Sequence, residues 1–580
     1  MDFQKLTYDI SRCYATDQAG VLGEKTTNKI LGWIRQRNLS NLASCSEQFD
    51  DALSNVERLT CLRQIESFFK KNAAFADLKL TKAAALQTFD KAEEICRITN
   101  KRLDHYYVNR DRLDPDINLW MDKAEAYICS VLGNYNSFLE DLPNQVRFTA
   151  GATATRSRKE SLPFLKVTKR MSSTRTAFPY IQALSNYFGY GRIKWVPCVA
   201  NRVEVVPKNW KTARTIACEP DGNLPLQLAF DSHAKCRLRK FGIDLSDQSR
   251  NQEMARIASI SGEFATVDVK TASDTEALNA VHWLFPIQWT RYLLDVRSPC
   301  YYRDGSLKTY AKFSSMGNGT TFTTETLIFA SACHAVGSKK FSVYGDDIII
   351  ETELYADLVR LLKFIGFAVN KSKSFHEGPF RESCGADWLA GHDVRPFYLR
   401  EWSKRKTVIA HNVNNLVRIS SPDGLVWKLC KQLSNEFSLA FVPPNDDTQS
   451  GVMVDTHTAY TLKLIVTTHK DFTHIPIFKA YKPQGKGVRV FDMRSNFLWH
   501  LNRFQRKQKE FCIDNRFIQK GVSNVSKNKL VIDVNDTTSQ SRYTTSSHRY
   551  VRKWVRWIPP AAASDFGHLY GWTKYLLKRD

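Results

Sequence analysis

Apolar residues recur every three or four positions across much of the first 140 residues, and stretches 55–71 and 82–102 contain neither Gly nor Pro. That period matches the helical turn, so the region is expected to be largely helical. Residues 141–225 are richer in Gly, Pro and basic side chains, with shorter apolar runs. Between 260 and 400, short β-prone runs alternate with helical ones. Two such runs flank Gly345-Asp346-Asp347, which predicts a β-hairpin with two carboxylates at its tip. Leu354, Leu358, Leu361, Leu362 and Ile365 then mark one face of a helix that Gly366 ends, with 367–370 returning as a strand. The run 264–268 reads as a strand ending in Asp268. A polar bend follows, and Asp274 or Thr275 is expected to cap a helix through Leu278, Val281 and Leu284. The turn-rich Pro443-Pro444-Asn445-Asp446-Asp447 predicts a boundary.

The chain has 580 residues, 43% of them hydrophobic and 24% charged, a globular balance. No run of about 18 apolar residues is present, which excludes a transmembrane helix. The first 17 residues have no apolar core of a secretory leader, so none is expected. Of thirteen cysteines, the nearest pair is Cys45 and Cys61, which excludes C-x-x-C metal or redox motifs and reads as reduced thiols.

Charge changes the picture more. Lys and Arg number 83 against 59 Asp and Glu, a net charge of +24. Nucleic acid is the commonest partner of so basic a chain. Residues 451–580 hold 23 basic against 9 acidic residues, with Trp499, Phe504, Phe511, Trp554, Trp557, Tyr570 and Trp572 interleaved. This composition suits a surface that follows a phosphate backbone and stacks on bases. It equally suits a β-rich domain with a solvated basic face. Trp572 is a candidate to stack on a first nucleotide in place of a primer; otherwise Trp554, Trp557 and Trp572 fill a small core.

Adjacent carboxylates repel, so Asp346 and Asp347 on one turn point to a hard divalent cation with oxygen ligands. Asp268, at a strand end, adds a third acid. Such a set fits two-metal phosphoryl transfer, with ions about 3.5–4 Å apart. The Gly/Ser/Asn loop 313–322 leads into a helical run over 324–336 that Gly337 stops; such loops bind phosphate or sugar hydroxyls through backbone N–H groups. Lys208, Lys211 and Arg214 lie within seven residues, either neutralising a triphosphate or lying solvated on a strand.

In chain order, these segments resemble viral RNA-dependent RNA polymerases, and most closely the replicase catalytic (beta) subunit of the leviviruses, the single-stranded RNA phages. The similar stretches are VPKNWKTARTIACEP (206–220), FGIDLSDQSRNQ (241–252), ATVDVKTASD (265–274), SSMGNGTTF (314–322), VYGDD (343–347) and VNKSKSFHEGPFRESCG (369–385). The resemblance runs from about 146 to 400. It implies an α+β right-hand fold whose antiparallel palm sheet is backed by helices. Residues 1–140 would be a helical region contributing to the fingers. Residues 141–262 would be fingers with the basic motif that admits nucleotides, 263–400 the palm, and 401–580 thumb and basic extension.

By the same resemblance, Asp268, Asp346 and Asp347 ligate two Mg2+ ions, with Mn2+ able to substitute. Lys208, Lys211 and Arg214 meet the triphosphate. Asp274, Ser315, Gly317 and Asn318 surround the ribose, where RNA is told from DNA by its 2′-OH. Lys373 gives the leaving pyrophosphate a proton, with Lys371 as its competitor. Glu325 stands where the wider polymerase pattern has Asn, eight residues after Gly317. Implied partners are RNA template and product, nucleoside triphosphates, the host translation elongation factors Tu and Ts and a host ribosomal protein, without a membrane. The implied place of action is the cytoplasm of the infected bacterium, and the implied reaction replicates a viral single-stranded RNA genome with primer-independent initiation.

Other readings are weaker. A metal-dependent nuclease needs no triphosphate pocket, and a basic RNA-binding scaffold needs no complete acidic set. Reverse transcription is disfavoured by YGDD and Asp274 through the resemblance alone. Gly20-Val-Leu-Gly-Glu-Lys-Thr26 is too short for a P-loop.

Overall fold

A computed structural model describes residues 2–157, 166, 170–189, 191–445, 447–470, 473–484, 487–490, 530–533, 549–557 and 567–577. Among the described residues no helix is long and apolar enough to cross a membrane. The fold mixes helices with several small sheets.

The first 145 residues are helical, as their periodicity predicts, and polar side chains set the starts. Asn55 caps Val56–Lys70, Asp77 caps Leu78–Val108, and Asp114 caps Pro115–Leu132, each accepting from backbone N–H groups of the first turn. The predicted segments 55–71 and 82–102 fall within the first two. The near-miss phosphate-loop motif is two helices, Ala19–Leu22 and Glu24–Arg35, hinged at Gly23.

Two strands of a three-stranded antiparallel sheet form the predicted acidic hairpin, Ser342–Tyr344 and Asp347–Glu351, with the Phe264–Asp268 strand on the other side of the latter. The central strand carries three isoleucines in a row because both its faces are covered. Ile348 and Ile350 pack with Leu327 and Ile328 of the Thr321–Ala335 helix and Leu358 and Leu362 of Tyr355–Ile365. Ile349 packs with Ala255 and Ala258 of Ser249–Ser261 on the opposite face. Gly366, at φ +118°, ends the Tyr355–Ile365 helix as expected.

A second sheet of four strands has the order Ala213–Cys218, Ala200–Pro207, Cys300–Arg303, Ser306–Thr309. Its first pair is the hairpin that carries Lys208, Lys211 and Arg214.

Four expectations need correction. Segment 367–370 is not a regular strand: it makes one isolated bridge, Val369 to Val269 just past the acidic strand, and the turn that follows bends in to contact Asp268 before Phe375 bridges to Thr266. Asp274 and Thr275 form a separate short helix, Ala272–Thr275, and Ala277 stands at the start of Leu278–Leu284. Residues 443–447 do not divide the chain into separate units: a second core, distinct from the one around the acidic hairpin, holds buried residues from Leu6 to Phe69 together with others from Phe380 to Ala480 and from Leu569 to Leu576. Finally, Trp572 is fully buried in it, edge-on to Trp427 at 5.6 Å, and offers no face to a nucleotide. Trp499, Phe504 and Phe511 lie outside the described residues.

Candidate active site

The sheet register puts Asp268 directly opposite Asp347, and Tyr344 opposite Asp347 on the other side. The hairpin loop is therefore Gly345-Asp346. Gly345 has φ +62°, at the first loop position where a tight hairpin turn of this kind calls for glycine. A Cβ there would also fall 2.4 Å from Phe322 Cε2, so the hairpin tip is seated on the Phe322 ring. Asp346 projects into solvent, and Asp268 and Asp347 are half-buried.

The local field is that of crowded acids. Burial, then Asp346 and Asp268, push the Asp347 carboxyl up to about 7, although the Cys384 backbone N–H opposes this. Burial also raises Asp268, against the pull of Lys373 and a hydrogen bond from Asn370 Nδ2 at 2.8 Å. Asn370 N donates to the Asp268 carbonyl as well, and Ser374 Oγ accepts from Asp268 N. The 370–374 turn thus fixes Asp268 from one side.

The cations come from the basic hairpin, which carries Lys208 and Arg214, and from the 370–374 turn itself, which carries Lys373. The Lys208 ammonium is pulled below its ordinary range by desolvation and then by Arg214 and Lys373, while Asp268 and Asp346 hold it up. Segments around 208, 268, 346 and 373 therefore share one field. Lys208, Lys211, Lys371 and Lys373 are all exposed, and of these Lys373 and Lys208 are among the strongest charges acting on Asp268. Lys211 sits in a loop where its backbone N–H donates to Asn209 Oδ1 at 2.9 Å.

Among the described residues no group of three or more His, Cys, Asp or Glu side chains closes on one point tightly enough to hold an ion by itself. The donor chemistry still fits Mg2+. That ion prefers carboxylate oxygens, keeps several waters, and is bound by one or two carboxylates together with substrate phosphates. Burial is the first cause that raises Asp268 and Asp347, with Asp346 adding to both, and a bound cation would favour their charged forms.

Behind the hairpin lies a polar layer that sequence reading largely missed. Lys312 has no exposed side-chain surface; its Nζ lies 2.7 Å from Asp274 Oδ1 and 3.7 Å from Glu93 Oε1, over the Phe89 ring. Glu276 is fully buried, takes hydrogen bonds from Ser314 Oγ (2.7 Å) and Thr324 Oγ1 (3.2 Å), and is pushed up to about 7 by burial. Glu325, noted in sequence only as a departure, is buried beside Gly345 and raised well above the usual carboxylate range by burial and by Asp346. Asn370 carried no signal beyond its place in the motif.

The 314–320 loop is shaped from within. Gly317 has φ +107°, and a Cβ would strike the Ala217 carbonyl oxygen at 2.4 Å. That contact pins the loop to the basic hairpin, as does the hydrogen bond from Ala217 N to the Met316 carbonyl at 2.8 Å. Asn318 Oδ1 accepts from Thr320 N and Oγ1, both at 2.9 Å, and the Ser315 carbonyl accepts from Asn318 N and Thr321 Oγ1. The side chains of Ser315 and Asn318 are buried and line no open cavity in this arrangement; the loop is held by Asn318 Oδ1 and by the Ser315 carbonyl.

The chain is 39% identical over 361 residues to the RNA-directed RNA polymerase subunit beta of Enterobacteria phage SP, covering 60% of this chain and 62% of that one. It is 39% identical over 361 residues to the subunit of the same name from Escherichia virus Qbeta, covering 60% of each. To the RNA-directed RNA polymerase beta chain of Escherichia phage MS2 it is 33% identical over 326 residues, 53% of this chain and 59% of that. The matched region thus spans about three-fifths of these relatives. A solved structure described as "RdRp complex" overlaps 63% of this chain and 37% of its own, at 9% identity and a TM-score of 0.39, too slight a likeness to argue from. A model of the family "RNA replicase, beta-chain" matches residues 14–450, three-quarters of the sequence, and the chain belongs to that family.

Proposed function

We propose that this chain is an RNA-directed RNA polymerase that copies a viral single-stranded RNA genome by two-metal nucleotidyl transfer. The observation that carries the reading is the convergence of Asp268, Asp346 and Asp347 with Lys208, Arg214 and Lys373 in one field. A nuclease on the same acids has no use for that cationic arc. In right-hand terms, the sheet bearing the acids is the palm, the hairpin bearing Lys208 belongs to the fingers, and the second core contributes the thumb.

In the reaction, the 3′-hydroxyl oxygen of the growing strand bonds to the α-phosphorus of the incoming nucleotide. The bond from that phosphorus to the bridging oxygen breaks, releasing pyrophosphate, and the hydroxyl proton is lost. Asp268, Asp346 and Asp347 would hold two Mg2+ ions (Mn2+ as substitute), which supply Lewis-acid stabilisation of the charge that builds on phosphorus-bound oxygen. Asn370 and Ser374 keep Asp268 oriented. Lys208 and Arg214, with Lys211 at the rim, bind the triphosphate. Lys373 donates a proton to the departing pyrophosphate, and its electrostatic reach to Asp268 is what favours it over Lys371. Asp274, held by Lys312, reads the ribose, on a wall shaped by Ser315, Gly317 and Asn318.

Initiation without a primer, and assembly with host elongation factors Tu and Ts and a ribosomal protein, are proposed from the family resemblance, as is action in the infected bacterial cytoplasm. The test is incorporation of labelled ribonucleotides on an RNA template by the purified chain, with and without host extract and a primer. RNA-templated incorporation supports the reading. Degradation of labelled RNA without synthesis, or a preference for deoxynucleotides, would overturn it in favour of a nuclease or a reverse transcriptase.

A further inference from the structure

Beyond residue 450, where the family match ends, the chain forms a three-stranded antiparallel sheet in the order Ile465–Lys470, Thr473–Gln484, Arg549–Arg556. Its faces differ sharply. Phe478 and Ala480 point into the second core, and Val555 packs against it. Side chains alternate along a strand, and directly paired residues of an antiparallel ladder share a face. The pairs Ile477 with Arg556, Lys479 with Trp554 and Tyr481 with Arg552 therefore all lie on the side away from the core.

On that face Trp554 keeps 49% of its surface exposed, although it sits within regular structure. Lys479 Nζ stands 5.0 Å from its ring centroid. Arg552 and Arg556 are exposed two positions to either side, about 7 Å along the strand in each direction. Asp447, an acid close to this sheet, pairs with Lys482 at 3.5 Å. The face thus presents a flat ring flanked by cations directed at solvent. Trp572, the aromatic singled out by its position near the chain end, is buried, whereas Trp554 has the exposure and the neighbours.

We infer that this face is a binding site for single-stranded RNA, with one unpaired base stacked on Trp554 and the adjoining phosphates held by Arg552, Arg556 and Lys479. Charge complementarity selects a polyanion, and the exposed ring among the cations selects one with π-faces. Such a contact reads no base edges and is sequence-tolerant. In identifying the strand as the enzyme's own template or product, the inference rests on the polymerase reading above. Its sheet packs on a different core from the acidic hairpin, and it acts on retention of the strand, not on the chemistry.

The test uses the full-length chain and a labelled single-stranded RNA 12-mer of mixed sequence, followed by anisotropy over a range of salt. Trp554→Ala should weaken binding about tenfold, as expected for losing one stacked base. Trp554→Phe should recover most of it. Arg552→Ala/Arg556→Ala should lower the slope of log K against log salt by about 1.4, the single-strand value for two phosphates. Extension of a preformed template–primer at saturating RNA should be unchanged in all three variants. Unchanged binding and slope would overturn the site. So would displacement of the 12-mer by poly-glutamate in wild type as readily as by unlabelled RNA, since the face would then be a general acidic-protein surface. If the chain synthesises no RNA yet binding still depends on Trp554, the polymerase reading fails and the site stands.

Discussion

The Lys312 ammonium, with no exposed surface of its own, sits 2.7 Å from Asp274 Oδ1. A cation buried to that degree persists only when paired, and here two carboxylates, Asp274 and Glu93, share it. The Arg297 guanidinium donates to the Lys312 carbonyl at 3.1 Å, anchoring the same residue through its backbone. The pair thus ties the proposed ribose-reading acid to the long Leu78–Val108 helix, which carries Glu93.

Lys312→Met should accordingly destabilise the protein by roughly 3–5 kcal/mol, the cost of leaving a buried charge without its partner. Most of that loss should be recovered in Lys312→Met/Asp274→Asn, which neutralises Asp274 as well. Denaturant unfolding of the four proteins of this cycle measures the coupling. Asp274→Asn alone should keep the fold while narrowing the gap in kcat/KM between ribonucleotides and deoxynucleotides. An Asp274→Asn enzyme with undiminished discrimination would separate Asp274 from ribose recognition.

How much of this was legible in the chain depends on how local each feature is. The acidic hairpin was, because its turn needs a glycine at positive φ between two β-prone runs. The Tyr355–Ile365 helix was, because one face repeats Leu and Ile up to Gly366. Lys312 was not: it lies 38 positions from Asp274, and nothing around it distinguishes a buried ammonium from a solvated one. Of the two readings open for Trp572 the core-filling one holds, and composition could not choose between them because it cannot tell an exposed ring from one that Trp427 covers from a distant helix. The shared core of the first 70 residues and the segment after 380 was hidden for the same reason. Periodicity records which face of a helix is apolar and says nothing of what will cover it.

Burial raises the Asp347 carboxyl to about 7, and the neighbouring carboxylates of Asp346 and Asp268 add to the rise by repulsion. Asp346→Asn and Asp268→Asn should each cut nucleotide incorporation by at least about 100-fold, the scale for losing one designed electrostatic contact to a transition state. Neither should unfold the protein, and Asp346→Asn should stabilise it slightly at neutral pH by relieving Asp347. Mg2+ should raise the melting temperature of wild type and raise that of either variant less. Equal Mg2+ shifts in all three proteins, measured by scanning calorimetry, would remove these acids from the metal site.

Glu276 gives a pH signature free of the metal. Its carboxyl is ordinary in the unfolded chain and is pushed to about 7 by burial in the folded one. The folded state therefore holds the proton more tightly, and stability is greatest below the unfolded value. It declines as pH rises from about 4.5 to 7 and is flat above that. Glu276→Gln keeps an oxygen for Ser314 and Thr324 and removes the titration. Relative to wild type it should be neutral near pH 4 and more stable at pH 8, by up to roughly 3 kcal/mol from the conversion of the shift. Urea unfolding at the two pH values decides; a difference that does not grow with pH would place the Glu276 proton elsewhere.

Lys373 and Arg214 lie in the same field, but their predicted roles separate kinetically. A proton donor to the leaving group acts only as the bond to pyrophosphate breaks, and such donors contribute about 10²–10⁴-fold. Lys373→Leu should slow single-turnover addition by that order while the apparent nucleotide affinity changes little. Lys371→Leu should leave the rate near wild type, because Lys373 and not Lys371 is among the strongest charges acting on Asp268. Arg214 reaches the site through Lys208, where two cations side by side suit a polyphosphate. Arg214→Ala should therefore weaken nucleotide binding first and slow the bound complex less. The Lys373→Leu loss should also shrink when the leaving group is made less basic, since a better leaving group needs less protonation. Rapid-quench titration of nucleotide for each variant separates rate from affinity. A Lys373→Leu enzyme with normal rate and weak binding, beside an Arg214→Ala enzyme with the opposite pattern, would show that the two residues have exchanged roles.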